Sequence, residues 1–237
     1  MLLKFCRKSE IPMIIDMHVH ESLHSACAVM TLEEAVASAR FHGLDGICIT
    51  DHDSMEIQND AADYLHTVDF PVFIGVEVST IDGHIIALGL HSIPKIESCR
   101  PTLPTQNLIN YVNAQGGFCF AAHPFRSPMP GEGRFLDFVQ GLHGIEIYNG
   151  GNTRLRSNIK ARDACRRLGL IPVAGSDAHE VDELGAYAMW FPDPIADTPA
   201  LVAALKAGRG RPVMRNGDRG YTLHVKARPC RLEFAIG

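Results

Sequence analysis

Short apolar runs recur along the chain, and segments with helical spacing separate them. The first run ends at Ile15, and later runs start at Gly46, Val72, Gly117, Gly144, Leu170 and Ala186. The spacing predicts helices over about 57–68, 105–114, 153–168 and 198–207, and a further helix that starts after Thr31 and ends at Gly43. Strands that alternate with helices are typical of parallel sheets with crossover connections, so the pattern predicts an α/β fold.

One pair of runs departs from this alternation. The dipeptide Asp82-Gly83 is a strong turn signal between strands that begin at Val72 and His84. We therefore expect a hairpin here. If Glu77 and His84 pair directly across it, their β-carbons lie about 4.5–5.5 Å apart.

The chain has 237 residues, of which 46% are hydrophobic, so it can bury one sizeable core. No fixed-period repeat or flexible linker indicates a second unit, and we expect residues 1–237 to form a single domain. The chemically suggestive motifs span residues 14–208, and residues 209–237 are expected to pack on the domain as an arm.

The net charge of −5 argues against a basic track for nucleic acid and against a membrane-surface patch. No apolar run approaches the roughly 20 residues of a membrane span, and the first residues lack the features of a signal peptide. The seven cysteines are odd in number and contain no Cys-x-x-Cys pair, which is typical of a reduced, cytoplasmic protein.

The side chains that follow the apolar runs are mostly imidazoles and carboxylates. In a strand, His18 and His20 point to the same face, roughly 6–7 Å apart. The full set is His18, His20, His52, Glu77, His84, His123, Asp177 and His179. Any one of them could be an ordinary buried or helix-capping residue, but together at one rim they indicate a site for Zn, Mn or Fe rather than for Ca or Mg alone. His91, at the far end of the strand that begins at His84, is the alternative to His84.

Five motifs in this order resemble those of the PHP (polymerase and histidinol phosphatase) family. They are Asp-Met-His-Val-His at 16–20, Ile-Thr-Asp-His at 49–52, Gly-Val-Glu-Val-Ser at 75–79, Ala-His-Pro at 122–124 and Gly-Ser-Asp-Ala-His at 175–179. The resemblance implies a distorted (β/α)7, TIM-like barrel with a metal site at the C-terminal ends of the strands. It also implies two or three divalent Zn, Mn or Fe ions as cofactors and the hydrolysis of phosphoesters.

Carried over by motif, the resemblance implies ligands for up to three ions. The first ion would be held by His18, His20, Glu77 and Asp177, the second by Glu77, His84 and His123, and the third by His52 and His179. Family members usually place an Asp or His about five or six residues after the His-x-His motif, where this chain has Ser25 and Ala26. Either His24 takes over that role, or the third site is weak or empty.

The same positions imply roles in the reaction. Glu77, Asp177, His52 and His179 are the predicted catalytic residues of a metal-assisted hydrolysis, in which a metal-bridging hydroxide attacks phosphorus and His52, His179 or a third ion helps the leaving group. Arg126 is the predicted phosphate contact, and Glu146 and Asn149 are expected to touch the substrate or to support the ligands. Asp16 and Asp51 are expected to orient histidines.

Other functions stay open. The expected partner is a small phosphorylated molecule, for example a nucleotide, with no stable nucleic-acid or membrane binding. Amidohydrolase-type cleavage of C–N bonds is the alternative within the hydrolases, but its usual bridging lysine has no counterpart at a middle strand end. A catalytically silent, PHP-like binding or regulatory domain is the alternative from another class, favoured by the altered loop at Ala26.

Overall fold

The computed structural model describes residues 11–93, 103–126, 130–217 and 220–223. Within these ranges ten strands form one mixed sheet. They are β1 (Met13–Val19), β2 (Gly46–Ile49), β3 (Val72–Thr80), β4 (Gly83–Leu88), β5 (Phe118–Ala121), β6 (Gly144–Asn149), β7 (Ile171–Gly175), β8 (Tyr187–Phe191), β9 (Arg211–Asn216) and β10 (Gly220–Leu223).

The α-helices of the described ranges lie between these strands. They are α1 (Leu32–Phe41), α2 (Ile57–Asp60), α3 (Ala62–Thr67), α4 (Thr105–Ala114), α5 (Leu155–Leu168) and α6 (Thr198–Lys206). A 3-10 helix spans Pro130–Asp137 and follows β5.

The strand order is β10-β9-β8-β1-β2-β3-β4-β5-β6-β7. The strands β1, β2 and β3 are parallel, as are β5, β6 and β7. The strand β4 runs antiparallel to both of its neighbours, as the predicted hairpin requires. The start of β4 therefore lies at the same rim as the C-terminal ends of the parallel strands.

The sheet curls until the segment after β7 meets β1. Ala178 forms a parallel bridge with Val19, and the Asp177 N–H donates to the carbonyl oxygen of His18 at 2.8 Å. A β-carbon at Gly175 would lie 2.5 Å from that of His18, so a glycine is needed for this approach. The predicted α/β class is confirmed and the curled sheet is consistent with a distorted barrel, whereas the predicted count of seven strand–helix units is not confirmed.

Helix α1 forms where the sequence predicts it. The Thr31 hydroxyl accepts from the Glu34 N–H at 3.2 Å, and the Glu34 carboxylate accepts from the Thr31 N–H at 2.9 Å, which completes a capping box. Its apolar face is buried in a core cluster that includes Ile47 and Ile49 of β2. This packing holds β2 against α1, and His52 lies shortly after β2 in the chain.

The other predicted helices differ from the observed ones mainly at their ends. Helix α4 has the predicted bounds, while α5 and α6 differ from theirs by one or two residues. The predicted helix over 57–68 is divided in two at Ala61, whose φ of −108° and ψ of 18° are not helical. The break leaves two short helices beside the loop that follows His20.

The described part of the predicted C-terminal arm belongs to the sheet, because β9 pairs with both β8 and β10.

Residues 1–10, 94–102 and 224–237, with Cys6, Cys99 and Cys230, lie outside the described ranges. Cys27, Cys48, Cys119 and Cys165 are free thiols. In the part of the chain that the structure describes, no helix combines the length and the apolar character needed to cross a bilayer.

Candidate metal centre

The rim of the sheet brings together all eight side chains that the sequence singles out. His18 lies in β1, Glu77 in β3 and His84 at the start of β4, while His20, His52, His123, Asp177 and His179 lie just after the strands that precede them. Because the rim collects the ends of β1 to β7, residues far apart in the chain become neighbours.

Four side-chain atoms converge at the centre of this group. Nε2 of His18 and Nε2 of His20 are 3.1 Å apart. Each nitrogen lies 3.2 Å from Oε2 of Glu77 and 3.2 or 3.3 Å from Oδ1 of Asp177. All four residues are at most 3% exposed. Two imidazoles and two carboxylates thus share one small buried volume.

The hydrogen bonds behind the two imidazoles indicate which ring nitrogens carry protons. Nδ1 of His18 lies 3.0 Å from Oε1 of Glu146, and Nδ1 of His20 lies 3.2 Å from the Ser25 hydroxyl oxygen. That hydroxyl donates to Asp51 at 2.7 Å, so it accepts from His20. Both Nδ1 atoms then carry hydrogen, and both Nε2 lone pairs face the centre.

This arrangement fits a metal ion. A regular tetrahedron with edges of 3.2 Å, the typical separation of these atoms, has its centre about 2.0 Å from each corner, which matches zinc–nitrogen and zinc–oxygen bond lengths. Four lone-pair atoms held this close repel one another unless a cation lies between them. The residues present therefore suit a divalent ion by donor type and by spacing.

The second oxygen of Glu77 serves another pair of histidines. Oε1 lies 2.9 Å from Nδ1 of His84 and 2.9 Å from Nε2 of His123. The strand register pairs His84 with Ser79, so Glu77 and His84 are diagonal neighbours rather than the directly opposed pair considered from the sequence. His91 is exposed at the other end of the hairpin strand, where its N–H donates to Gln115. The fold thus brings His84, not His91, to Glu77.

A third group lies on the outer side of the centre. Ring nitrogens of His20, His52 and His179 are within 4.8 Å of one another, as are ligand atoms of His52, Glu77 and His84. His52 and His179 are the more open members, with side chains 30% and 25% exposed. Within the described ranges, the carboxylates that form ion pairs with these rings are Glu77 and Asp177, both of which also belong to the first group.

His24 does not approach this third group. Its two ring nitrogens lie 2.6 Å from Glu21 and 3.0 Å from Asp60. Ala26 is exposed, whereas Ser25 is buried between His20 and Asp51. The sequence left two alternatives for this loop: His24 as a ligand, or a weak or empty third site. The contacts of His24 with Glu21 and Asp60 favour the second.

Burial and charge act against each other at the carboxylates. Burial favours the neutral acids, but the nearby histidines, His18 first among them, hold the pKa values of Glu77 and Asp177 well below their usual range. In return Asp177, Glu146 and Glu77 outweigh burial and raise the pKa of His18 well above its usual value. The centre therefore attracts positive charge, either as protons or as a metal ion.

The outer histidines respond in the opposite direction. Burial, together with the neighbouring histidines, lowers the pKa of His52 to about 4 even though Glu77 opposes the shift. Burial and then His20 lower the pKa of His179. Both rings are neutral at pH 7, which is the form that binds metals.

Glu146 and Asn149 lie behind the ligands. Oε1 of Glu146 faces His18, and its Oε2 accepts from the His123 N–H and from the Asn149 amide, each at 2.8 Å. Both residues are 1% exposed. Of the two roles expected from the sequence, substrate contact or support of the ligands, this geometry favours support of the ligands for Glu146.

Arg126 lies against Asp177 on the open side of the centre. Its Nη2 donates to Oδ2 of Asp177 and, at 2.6 Å, to the Asn149 side-chain oxygen. Its Nε donates to Asn152 at 3.3 Å. A β-carbon at Gly151 would lie 2.7 Å from Nη2, so glycine makes room for the guanidinium.

Asp16 and Asp51 also support the centre, as predicted, but in different ways. Asp16 is fully buried and accepts backbone N–H bonds from His18, Ser176 and Gly185, which ties β1 to the segment after β7. Asp51 reaches His20 through the hydroxyl of Ser25. Sequence reasoning missed the roles of Ser25 and Asn152, because a single loop hydroxyl or amide carries no periodic signal.

The backbone is strained at two of the ligands. Among the described non-glycine residues, only His123, Asp177 and Asp53 have φ in the left-handed region, at 30°, 57° and 52°. Such conformations cost about 1–3 kcal/mol and are found mostly at functional sites. Their position at β5 and β7 ends is consistent with side chains turned into a shared centre.

The strand-end rim of this curled α/β sheet thus carries a cluster of imidazoles and carboxylates that could hold divalent metal ions. The chain belongs to the PHP family, since the PHP domain model matches residues 16–130 and the PHP-associated model matches residues 156–209. The predicted resemblance to this family is thereby confirmed.

The chain is also similar to individual proteins. The chain is 30% identical over 112 residues to the uncharacterised protein MJ1587 of Methanocaldococcus jannaschii, a stretch that covers 47% of this chain and 61% of that protein, which is less than two thirds of its length. A structure described as a metal-dependent phosphoesterase from Bifidobacterium adolescentis is 17% identical, with a TM-score of 0.60 over 82% of this chain and 96% of that one.

A two-domain protein from Bacteroides vulgatus, described as containing a PHP-like metal-dependent phosphoesterase, is also 17% identical. It has a TM-score of 0.65 over 88% of this chain and 66% of its own. At these identities the two structures establish the likeness of the fold.

Proposed function

We propose that this protein hydrolyses a small phosphoester with the help of two divalent metal ions. The observation that carries the proposal is the bridging position of Glu77. One of its oxygens lies with His18, His20 and Asp177, and the other lies with His84 and His123. Two adjacent ligand groups joined by one carboxylate are what a two-metal phosphoesterase needs.

Bound ions would supply Lewis acids for the phosphoryl oxygens and lower the pKa of a water molecule toward about 7. The residues of the chain hold this chemistry in place. Glu77 fixes the spacing of the two ligand groups, and Asp177 divides its oxygens between the first group and Arg126. His52 and His179 line the open side, where a leaving group would depart.

The contacts of Ser25 support two ions rather than three. Its hydroxyl hydrogen is given to Asp51, and the oxygen accepts from His20 and from the His52 N–H at 3.1 Å. Nε2 of His20 already faces the first group. Within the described ranges, His52 and His179 are then the only histidines of the third group that do not also belong to the first or second group. Zn, Mn and Fe(II) are the ions that this donor set favours.

Arg126 supports a phosphorylated substrate. Its side chain is 28% exposed and borders the centre beside Asp177. A guanidinium at this place offers N–H donors and positive charge to phosphoryl oxygens that approach the ions. The net charge of −5 makes this local charge, rather than the whole surface, the source of attraction for an anion.

The test is phosphate release by the purified chain after removal of metals and reconstitution with Mn, Zn or Fe(II). An aryl phosphate monoester and a bis-aryl phosphate diester would separate the two substrate classes. Glu77→Gln and Asp177→Asn should each lower the rate by about a hundredfold or more. Glu33→Gln, on the exposed first turn of α1, is the control and should keep full activity.

Three outcomes would refute the proposal. Hydrolysis that persists without metals would remove the ions from the mechanism. Hydrolysis that survives Glu77→Gln would remove the bridging carboxylate. Metal binding without hydrolysis of either ester would favour the silent, regulatory alternative. The amidohydrolase alternative is disfavoured because the described lysines, Lys160 and Lys206, lie on α5 and α6 rather than at a strand end.

A further inference from the structure

Ser25 lies next to His20 and His52 of the candidate metal centre, in the loop where the family usually has an Asp or His ligand. It is 1% exposed and makes three side-chain hydrogen bonds. Its oxygen accepts from Nδ1 of His20 at 3.2 Å and from the His52 N–H at 3.1 Å, and its hydroxyl donates to Asp51 at 2.7 Å. The Ser25 hydroxyl thus connects the His20 ring, the His52 backbone N–H and the Asp51 carboxylate.

The directions of these bonds have a chemical consequence. Because the only hydrogen of the hydroxyl is taken by the Asp51 carboxylate, the oxygen can meet His20 only as an acceptor. His20 must then keep its hydrogen on Nδ1 and present Nε2 as a lone pair to the centre. Without the hydroxyl, either tautomer of His20 would be tolerated at Nδ1.

The two histidines of the first motif are therefore held by different means. His18 bonds directly to a carboxylate, Glu146, at 3.0 Å. His20 reaches its carboxylate, Asp51, through Ser25. A carboxylate behind a ligand imidazole fixes the ring and increases its basicity, and a hydroxyl between them can transmit both effects.

We propose that Ser25 is a positioning residue of the metal centre, which fixes the tautomer and orientation of His20 and links that ring to the Asp51 carboxylate. The inference rests on the proposed metal-dependent function, but it concerns metal binding rather than hydrolysis. It explains why a serine can stand in the loop where a direct ligand was expected. In this chain the loop supports a ligand of the first group, His20, and supplies no ligand of its own at Ser25.

The experiment compares Ser25→Ala, Asp51→Asn and the double variant with the wild-type chain. Ser22→Ala is the matched control, since Ser22 lies in the same loop and its backbone bond to Met30 survives the substitution. Metal affinity is measured on metal-free protein by competition with a chromophoric chelator, without any substrate. The visible spectrum of the Co(II) form reports the ligand geometry independently.

Loss of the hydroxyl should weaken metal binding at the first group, which contains His20, by about 10–100-fold and change the Co(II) spectrum, while Ser22→Ala changes neither. Asp51→Asn keeps an oxygen for the Ser25 hydroxyl and the Glu21 N–H, both of which donate to Oδ1, but removes the negative charge behind them, and it should weaken the same site. The double variant should be little weaker than Ser25→Ala alone, because that charge acts on the His20 ring through the hydroxyl. Asp51→Asn tests the connection by itself if Ser25→Ala does not fold.

Unchanged affinity and an unchanged spectrum in either single variant would overturn the inference. Additive losses in the double variant would overturn it as well, since they would show two independent effects. A wild-type chain that binds metal tightly but hydrolyses no phosphoester would refute the proposed reaction and leave this result standing.

Discussion

Replacement of Glu146 by glutamine should weaken metal binding without disturbing the fold. The carboxylate receives three donors, from Nδ1 of His18, the backbone of His123 and the amide of Asn149, at 2.8–3.0 Å. An amide has only one oxygen. Whichever way it turns, its NH2 group must face at least one of these donors.

The magnitude follows from the bond that is lost. If the NH2 group faces His18, the ring must move its hydrogen to Nε2 and can no longer offer that atom to a metal. If it faces His123 and Asn149, two buried donors lose their acceptor, at about 1–3 kcal/mol for each group left unsatisfied, so the amide should turn its NH2 group to His18 instead. Metal binding must then hold the hydrogen of His18 on Nδ1 against that NH2 group. A cost of about 1.4–2.8 kcal/mol for this one contact corresponds to metal affinity about 10–100-fold weaker, the range typical of residues that support ligands.

The assay is chelator competition on metal-free protein, with circular dichroism and thermal unfolding as checks of the fold. Glu33→Gln is the control because it makes the same chemical change on the exposed face of α1. Wild-type metal affinity in a folded Glu146→Gln variant would show that the proton on His18 does not depend on this carboxylate, and the reasoning would be refuted.

The structure supports four further predictions. Metal at 100 times its dissociation constant should stabilise the fold by about 2.7 kcal/mol, and a chelator should therefore lower Tm by about 5–10 °C in differential scanning calorimetry. Thr31→Ala removes the cap of α1 and should cost about 1 kcal/mol in urea unfolding, with metal affinity unchanged. Gly151→Ala places a β-carbon 2.7 Å from Nη2 of Arg126 and should raise KM about tenfold for a phosphoester, with smaller effects on metal binding. Burial lowers the pKa of His24, but Glu21 and Asp60 outweigh it and raise this pKa above 6.5. The ion pairs of His24 therefore contribute fully to stability below pH 6.5, and this contribution is lost as pH rises through the raised pKa. His24→Asn should accordingly destabilise the chain more at about pH 6 than at about pH 9, as measured by urea unfolding.

The rim residues could be predicted because strand ends are visible in the sequence. Apolar runs that stop at His18, His123 or Asp177 show where strands deliver polar side chains, and a parallel sheet places such ends together. The choice of His84 over His91 was also accessible, since Asp82-Gly83 predicted a hairpin. Whether these residues bind metal in the predicted groups stays a prediction until ions are measured.

The supporting contacts could not be predicted in the same way. The bond between His18 and Glu146 joins residues 128 positions apart, and Asp16 accepts from a backbone N–H 169 positions away. Neither contact has a periodic pattern. The diagonal relation of Glu77 and His84 depends on the register that pairs Thr80 with Gly83, which a turn dipeptide alone does not specify.

The His-x-His motif separates what local sequence can specify from what the fold must add. Spacing by two in a strand places His18 and His20 on one face, and this holds for any chain with the motif. Which nitrogen of each ring faces the metal is decided elsewhere, by Glu146 from β6 for His18 and by Ser25 with Asp51 for His20. Since the loop after the motif supplies one of these supports, a serine there and a direct ligand there lead to different centres from the same motif. We therefore expect the number of ions in such a centre to depend on the residue that this loop supplies, and not on the motif alone.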